Sequence, residues 1–267
     1  DIRDYDSVRA AMEGCGGVLH LAALIGIPYS YESPLAYVRT NVEGTYNVLQ
    51  SARELGLKDV LVTSTSETYG TAQRVPIDEH HPSVGQSPYS ASKIAADQLA
   101  ISYHRSFGLR VKIVRPFNTY GPRQSARAII PTIITQILAG KRELRLGNLS
   151  PTRDLTFVKD TAAAFLAILK SDSLVGEAVN IGMGEEISVG DLVSKIAKIM
   201  GASTKIVEDE RRVRPGASEV ERLLSDPRKL RAATGWAPSY DLDGGLLETI
   251  AFLKEHQHLY KADRYNV

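Results

Sequence analysis

One cysteine, Cys15, stands in 267 residues, so no internal disulfide can form, and the six histidines are scattered without the Cys/His spacing of a metal site. No charge of either sign is in excess: Lys+Arg number 32 against Asp+Glu 31, a net +1, which advertises neither nucleic acid nor an anionic membrane as partner. Apolar runs fall well short of the roughly 18 residues needed to span a bilayer. The opening residues Asp1-Ile2-Arg3-Asp4 are charged rather than signal-like. No G-x-G-x-x-G occurs, and Gly14-Cys-Gly-Gly17 lacks that spacing and precedes a strand pattern instead of following one. A membrane protein, a disulfide scaffold and a disordered tail are thereby excluded, and a cytoplasmic α/β protein without metal is the expectation. Two further things are missing, an initial Met and a leading strand.

What is present alternates between short β-rich runs and longer helical patterns, the rhythm of a parallel sheet with crossover helices. Strands are expected at Val18–Leu21, Val60–Thr63, Val111–Val114 and Ala178–Ile181. Ser33-Pro34 opens a helix that Gly56 closes, and Ser87 to Phe107 forms another closed by Gly108. Beyond Phe117 the rhythm loosens: Ile129–Leu138 reads as an apolar helix, Leu144–Leu146 as a strand, and Phe157–Leu169 as strand then helix. Helices near Val189–Met200, Asp226–Thr234 and Leu242–Leu253 complete the chain. The fold class is therefore a doubly wound parallel-sheet (Rossmann) α/β domain with a smaller α/β lobe. The first is assigned 1–116 plus about 154–182, and the second about 117–153 plus 183–267.

Three stretches carry chemistry. Tyr89-Ser-Ala-Ser-Lys93 puts a phenol and an ammonium one helical turn apart on one face, where the cation favours phenolate and lets the tyrosine work as a base. Val60-Leu-Val-Thr-Ser-Thr-Ser-Glu67 runs from a strand into three hydroxyls and a carboxylate, at the strand end where parallel sheets bind ligands. Val114-Arg-Pro-Phe-Asn-Thr-Tyr-Gly-Pro-Arg123 ends another strand; its Asn118 and Arg123, like Arg153-Asp154 and Arg214-Pro-Gly216, suit an anionic ligand. Each alone can be a turn, a cap or an accident of spacing.

Together, in this order and over the whole chain, these residues resemble the extended short-chain dehydrogenase/reductase family, in its NAD-dependent nucleotide-sugar epimerase/dehydratase branch. The resemblance implies NAD as cofactor. It assigns Asp1 and Ile2 to the adenine side, Leu21, Ala22 and Ala23 of His20-Leu-Ala-Ala23 to the strand-end motif, and Thr63, Pro116, Tyr89 and Lys93 to the cofactor as well. Thr65, Ser66, Glu67, Tyr89 and Lys93 become the catalytic set. Ser30, Asn118, Pro131, Arg153, Asn180 and Arg214 would hold the nucleotide sugar. Family members begin with a strand and a Gly-rich phosphate turn, so the resemblance also implies that roughly fifty residues are missing ahead of Asp1 and that the chain alone binds NAD weakly.

Within the branch, Glu67 is the discriminating residue. A 4-epimerase needs no base at C5, whereas a 4,6-dehydratase does. Many hexose 4,6-dehydratases carry Thr-Asp-Glu where this chain has Thr65-Ser66-Glu67, so the proton for the leaving C6 hydroxyl must come from Glu67 or a water held by Ser66. The stretches Arg115 to Pro131 and Ser150 to Val158 look most like dehydratases of nucleotide-linked N-acetylglucosamine, as in the legionaminic acid pathway. The apolar Leu24-Ile-Gly26 suits an acetamido methyl or is plain packing. The reading is a UDP- or GDP-N-acetylglucosamine 4,6-dehydratase. UDP-glucuronate decarboxylase, UDP-sugar 4-epimerase and a non-catalytic binding protein of the same fold stay open. A homodimer through helices 33–56 and 87–107 is expected by analogy.

Overall fold

The computed structural model describes residues 1–212 and 216–261. Its first half supplies three of the four strands of a parallel sheet and the helices between them: α1 (Tyr5–Met12), β1 (Gly17–His20), α2 (Ile27–Glu32), α3 (Pro34–Tyr37), α4 (Gly44–Glu54), β2 (Asp59–Thr63), α5 (Pro88–Phe107) and β3 (Val111–Pro116). The second half supplies β4 (Asn118–Tyr120), α6 (Ile129–Leu138), β5 (Glu143–Leu146), β6 (Thr152–Arg153), β7 (Leu155–Phe157) and α7 (Val158–Lys170). It continues with β8 (Ala178–Ile181), β9 (Ile187–Ser188), α8 (Val189–Ile199), β10 (Lys205–Glu208), β11 (Arg222–Leu223), α9 (Arg228–Thr234) and α10 (Leu242–Glu255). Strand order in the main sheet is β1-β2-β3-β8, with Val60 opposite Val111 and Ile113 opposite Ala178.

Side-chain alternation along the strands sends successive residues to opposite faces and so builds two cores. Val60, Val62, Val111 and Ile113 pack with Val8 and Met12 of α1, Val48, Leu49 and Ala52 of α4, and Ala100 and Tyr103 of α5. Leu61, Val114, Val179 and Ile181 pack on the other side with Ala164, Phe165 and Ile168 of α7 and Leu230 of α9. A separate cluster joins α6, α8 and α10 through Ile130, Ile133, Ile134, Leu192, Ile196, Leu246 and Leu253, over β5 and β7.

Glycines before and at the start of β1 serve the backbone. Gly14 has φ +75°, and a Cβ on Gly17 would lie 2.8 Å from the Asp59 carbonyl oxygen, so the neighbouring strand can approach only glycine there. Helix α5 is fixed at both ends by local signals. Ser87 and Ser90 cap each other reciprocally, and Gly108 closes the helix in the left-handed conformation at φ +68°.

Two departures from the sequence reading matter for the site. The helix expected from Ser33 to Gly56 does run from Pro34 to Glu54, but residues Val38–Glu43 form a π-helical turn between α3 and α4. Its opening Ser33 makes no side-chain cap, because the chain arrives there directly from α2, which was not foreseen. Helix α1 was also unforeseen, although Asp4 caps it by accepting from Ser7 N at 2.9 Å.

Candidate active site

The carboxyl end of β2 delivers Thr63, Ser64 and Thr65, and the chain then turns through a short 3-10 helix, Ser66–Tyr69, for which Thr65 is the cap, its hydroxyl accepting from Glu67 N at 3.2 Å. Facing it is the first turn and a half of α5. Tyr89 and Lys93 are both buried, and the Lys93 ammonium donates to the Thr63 carbonyl at 2.6 Å. Burial pushes the Tyr89 phenol up to about 12; the Thr65 hydroxyl, in hydrogen-bond reach, draws it back, and the nearby Glu67 charge pushes it further up. The Lys93 ammonium is turned to the backbone of β2, and burial holds Lys93 below the ordinary lysine range while Asp97 opposes that fall.

Behind the pair runs a buried polar chain that motif reading missed. Asp97 accepts from Ser64 Oγ at 2.9 Å and from Arg115 Nε and Nη2 at 3.2 and 3.0 Å, all on Oδ2. Arg115 Nη1 donates to the Tyr69 hydroxyl at 3.0 Å, and that hydroxyl donates to Asn180 Oδ1 at 2.7 Å. Asn41, in the π turn, is a second clamp. Its amide accepts from Leu24 N at 2.8 Å and donates to Leu24 O and Ser92 Oγ, both at 2.9 Å, tying the segment after β1 to the middle of the Tyr89–Lys93 turn. Tyr37 lies edge-on to Tyr89, ring centroids 6.2 Å apart, and donates to the Gly26 carbonyl; Arg127 reaches over Gly26, where a Cβ would sit 2.5 Å from Nη1.

The residues expected around this centre are placed unequally. Leu21 and Ala22 are exposed and Ala23 partly so, along the crest after β1. Thr63 Oγ1 and Asn118 Oδ1 are buried with no partner, and Pro116 ends β3, the strand that pairs with β2. Asp1 is exposed, with its carboxylate engaged by Arg3, and Ile2 packs inward against Gly44 and the core under α4. Arg153 donates to Thr152 O at 2.9 Å and meets Glu219 at 3.5 Å, lining a 610 Å³ cleft with Glu185, Lys195 and Tyr240. Arg214 lies outside the described residues.

Three of the residues expected to hold the ligand are engaged within the fold. Asn180 is fully buried with both amide atoms used, Oδ1 by Tyr69 and Nδ2 by the Ile77 carbonyl at 3.0 Å, so it braces the sheet. Ser30 is likewise fully buried and donates to Ile27 O at 2.6 Å within its own helix, and Pro131 is buried inside α6. Asp154, read with Arg153 as suiting an anion, instead accepts from Met183 N, Gly184 N, Ser225 N and Ser225 Oγ at 2.6 to 3.1 Å.

Comparison with known proteins agrees with this arrangement of sheet, turn and helix. Residues 1–249 match the family model described as GDP-mannose 4,6 dehydratase. The chain is 34% identical over 252 residues to dTDP-glucose 4,6-dehydratase of Streptomyces griseus, covering 93% of this chain and 75% of that protein. It is 32% identical over 264 residues to UDP-N-acetyl-alpha-D-glucosaminuronate decarboxylase of Bacillus cytotoxicus, covering 95% and 81%. Among solved structures it is similar to UDP-glucuronic acid 4-epimerase of Bacillus cereus in complex with UDP-glucuronic acid and NAD, with a TM-score of 0.88 at 28% identity over 96% of this chain and 80% of that one. The chain thus belongs to the NAD-dependent nucleotide-sugar epimerase/dehydratase family of extended short-chain dehydrogenase/reductases.

Proposed function

We propose that the protein is a nucleotide-sugar 4,6-dehydratase, acting on a UDP- or GDP-linked N-acetylglucosamine. The observation that carries the reading is the placement of Glu67: it follows Thr65 in one short turn and lies near enough to Tyr89 for its charge to act on the phenol. Two proton-transfer groups at one strand end serve a reaction that breaks both O–H at C4 and C–H at C5, whereas a 4-epimerase needs only the first.

The residues present fit NAD. Thr63 Oγ1 is a buried hydroxyl without a partner beside the Lys93 ammonium, and Leu21 leaves 59% of its surface uncovered on the crest. Thr63, Pro116, Tyr89 and Lys93 would hold its nicotinamide end, and Leu21, Ala22 and Ala23 the stretch toward the adenine. When bound, NAD would supply a hydride acceptor at C4 and a donor at C6.

Tyr89 takes the proton of the C4 hydroxyl, and Thr65 donates a hydrogen bond to the same oxygen. The resulting 4-ketone acidifies C5–H, Glu67 removes that proton, and the C6 hydroxyl departs as water with a proton from Glu67 or from a water on Ser66; once C6 has received the hydride, C5 takes up a proton, and the one that Tyr89 drew from the C4 hydroxyl closes the balance. Asn118, with Oδ1 buried and unpartnered, and Arg153 would hold the nucleotide sugar. Residues 1–116 with about 154–182 would form the cofactor side and the remainder the sugar-nucleotide side. Leu35, Val38 and Tyr46 stand exposed on the Pro34–Glu54 helix, which supports pairing of that helix and α5 with a second copy.

The test supplies the intact protein with NAD and UDP-N-acetylglucosamine deuterated at C4. Deuterium is expected at C6 of a 4-keto-6-deoxy product. Label kept at C4 of an epimerised sugar would overturn the dehydratase reading in favour of a 4-epimerase, and turnover of the glucuronate alone would favour a decarboxylase.

A further inference from the structure

Tyr89, Lys93 and Asp97 follow one another at four-residue spacing, so all three line one face of α5, and that face is buried. Asp97 is 1% exposed, yet only Oδ2 is bonded, to Ser64 and twice to Arg115; Oδ1 is buried with no partner at all. A buried carboxylate is costly unless its charge is compensated. Arg115 compensates it, but Arg115 is shared with Tyr69, and the carboxylate also acts on Lys93 one turn away. Three strands and the helix are bound by this one group: Ser64 follows β2, Arg115 is in β3, and Tyr69 carries the chain on to Asn180 in β8.

We propose that Asp97 is a positioning residue of the catalytic centre, locking the β2 end that bears Thr63 and Thr65 onto α5 and β3 while balancing the Lys93 ammonium. The charge count gives the reason. Lys93 and Arg115 bring two positive charges and Asp97 one negative, so ionising Tyr89 leaves the buried quartet neutral. Without Asp97 the quartet would carry excess positive charge, and Lys93 would release its proton more readily. Among the described residues, the other titratable groups facing the quartet are His20 from β1, Tyr37 from α3, Glu67 and Tyr69 from the turn after β2, and Glu79, which accepts from Asn180 N at 2.9 Å.

This inference rests on reading Tyr89 and Lys93 as the catalytic pair, and its test does not require turnover. Lysine side chains are labelled with 15N, the Lys93 signal is assigned by its loss in Lys93→Arg, and its titration midpoint is followed by NMR. Asp97→Asn is expected to lower the midpoint by about one pH unit, and Asp97→Glu to restore most of it. An unmoved midpoint in a folded Asp97→Asn protein overturns the proposal. Should that variant fail to fold, Arg115→Met probes the same balance with opposite sign: a rise in the Lys93 midpoint supports it, and no rise refutes it. In the intact enzyme both limbs of the kcat–pH profile move to lower pH in Asp97→Asn, whereas a purely structural role lowers the plateau and leaves the limbs in place. Absence of any turnover would count against the dehydratase reading, and the Lys93 titration would still decide the role of Asp97.

Discussion

Acidification from pH 7 to pH 5 is expected to destabilise the fold through one residue, His20. It closes β1 at 5% exposure, with Nε2 3.0 Å from Thr45 Oγ1. Thr45 Oγ1 donates its own proton to Asn41 O at 2.6 Å, so it must accept from the histidine, which fixes the neutral Nε2–H tautomer. Burial, and next the charge of Lys93, bring the imidazole down from 6.5 to about 4. The folded value lies below the unfolded one, so the unfolded chain binds the extra proton between them. His20 therefore contributes its full stability above pH 6.5 and loses it as pH falls toward 4. At about 1.4 kcal/mol per unit this amounts to about 3 kcal/mol in all, of which about 2 kcal/mol is gone by pH 5. Urea denaturation of the wild type and of His20→Gln, which keeps a donor for Thr45, isolates the contribution: the wild type should lose that extra stability between pH 7 and 5 and the variant should not. Parallel pH dependence in the two proteins would falsify the assignment of a buried neutral imidazole.

The Asn41 clamp predicts that Asn41→Asp is no better tolerated than Asn41→Ala. Ser92 Oγ is already committed as a donor to Tyr89 O at 2.7 Å, so a carboxylate at position 41 faces two acceptors; each variant should cost about 2 to 4 kcal/mol in urea denaturation, and wild-type stability in Asn41→Asp would show the amide to be turned the other way. Neighbouring glycines in α10 should part company. A Cβ on Gly245 meets the buried Tyr120 hydroxyl at 2.1 Å, so Gly245→Ala should destabilise by about 1 to 3 kcal/mol despite the helix preference for alanine. Gly244→Ala, whose Cβ meets only the Asp241 carboxylate at 3.1 Å and Tyr240 at 3.8 Å, should stay within about 1 kcal/mol of the wild type in the same assay.

How far the molecule could be read from its sequence depended on whether the information was local. Helix α5 was legible to its ends because Ser87, Pro88 and Gly108 act on their own neighbours. The signals of α1 are equally local, with Asp4 as cap and Val8 and Met12 as its buried face. The π turn was not legible, since Asn41 is held by Leu24 and Ser92, 17 and 51 residues away. The same holds for the chain from Asp97 to Asn180, whose links span 18, 46 and 111 positions. The motifs located the strand ends and the Tyr89–Lys93 turn. They could not tell that Asn180 and Ser30 spend their polar atoms on the scaffold, because an amide that braces a sheet and one that awaits a ligand are the same letter.

The π turn also makes the number of residues in the Pro34–Glu54 rod a constraint separate from their kind. A π turn holds one residue more than an α turn, so the rod's two halves are out of phase: the first half aims Tyr37 at Gly26 and Tyr89, and the second aims Val48, Leu49 and Ala52 into the sheet core. Deleting one residue within Val38–Glu43 would let the segment relax to α pitch, which turns the chain through nearly the same angle with one residue fewer, so both halves would keep their aim and only the widened turn that seats Asn41 would be lost. A deletion elsewhere in the rod has no such turn to absorb it and would swing one half by about 100° against the other, turning either the aromatic support of Tyr89 or the packing beneath β2 the wrong way. The extra residue marks the place in the rod where chain length can change without rotating the molecule's working parts.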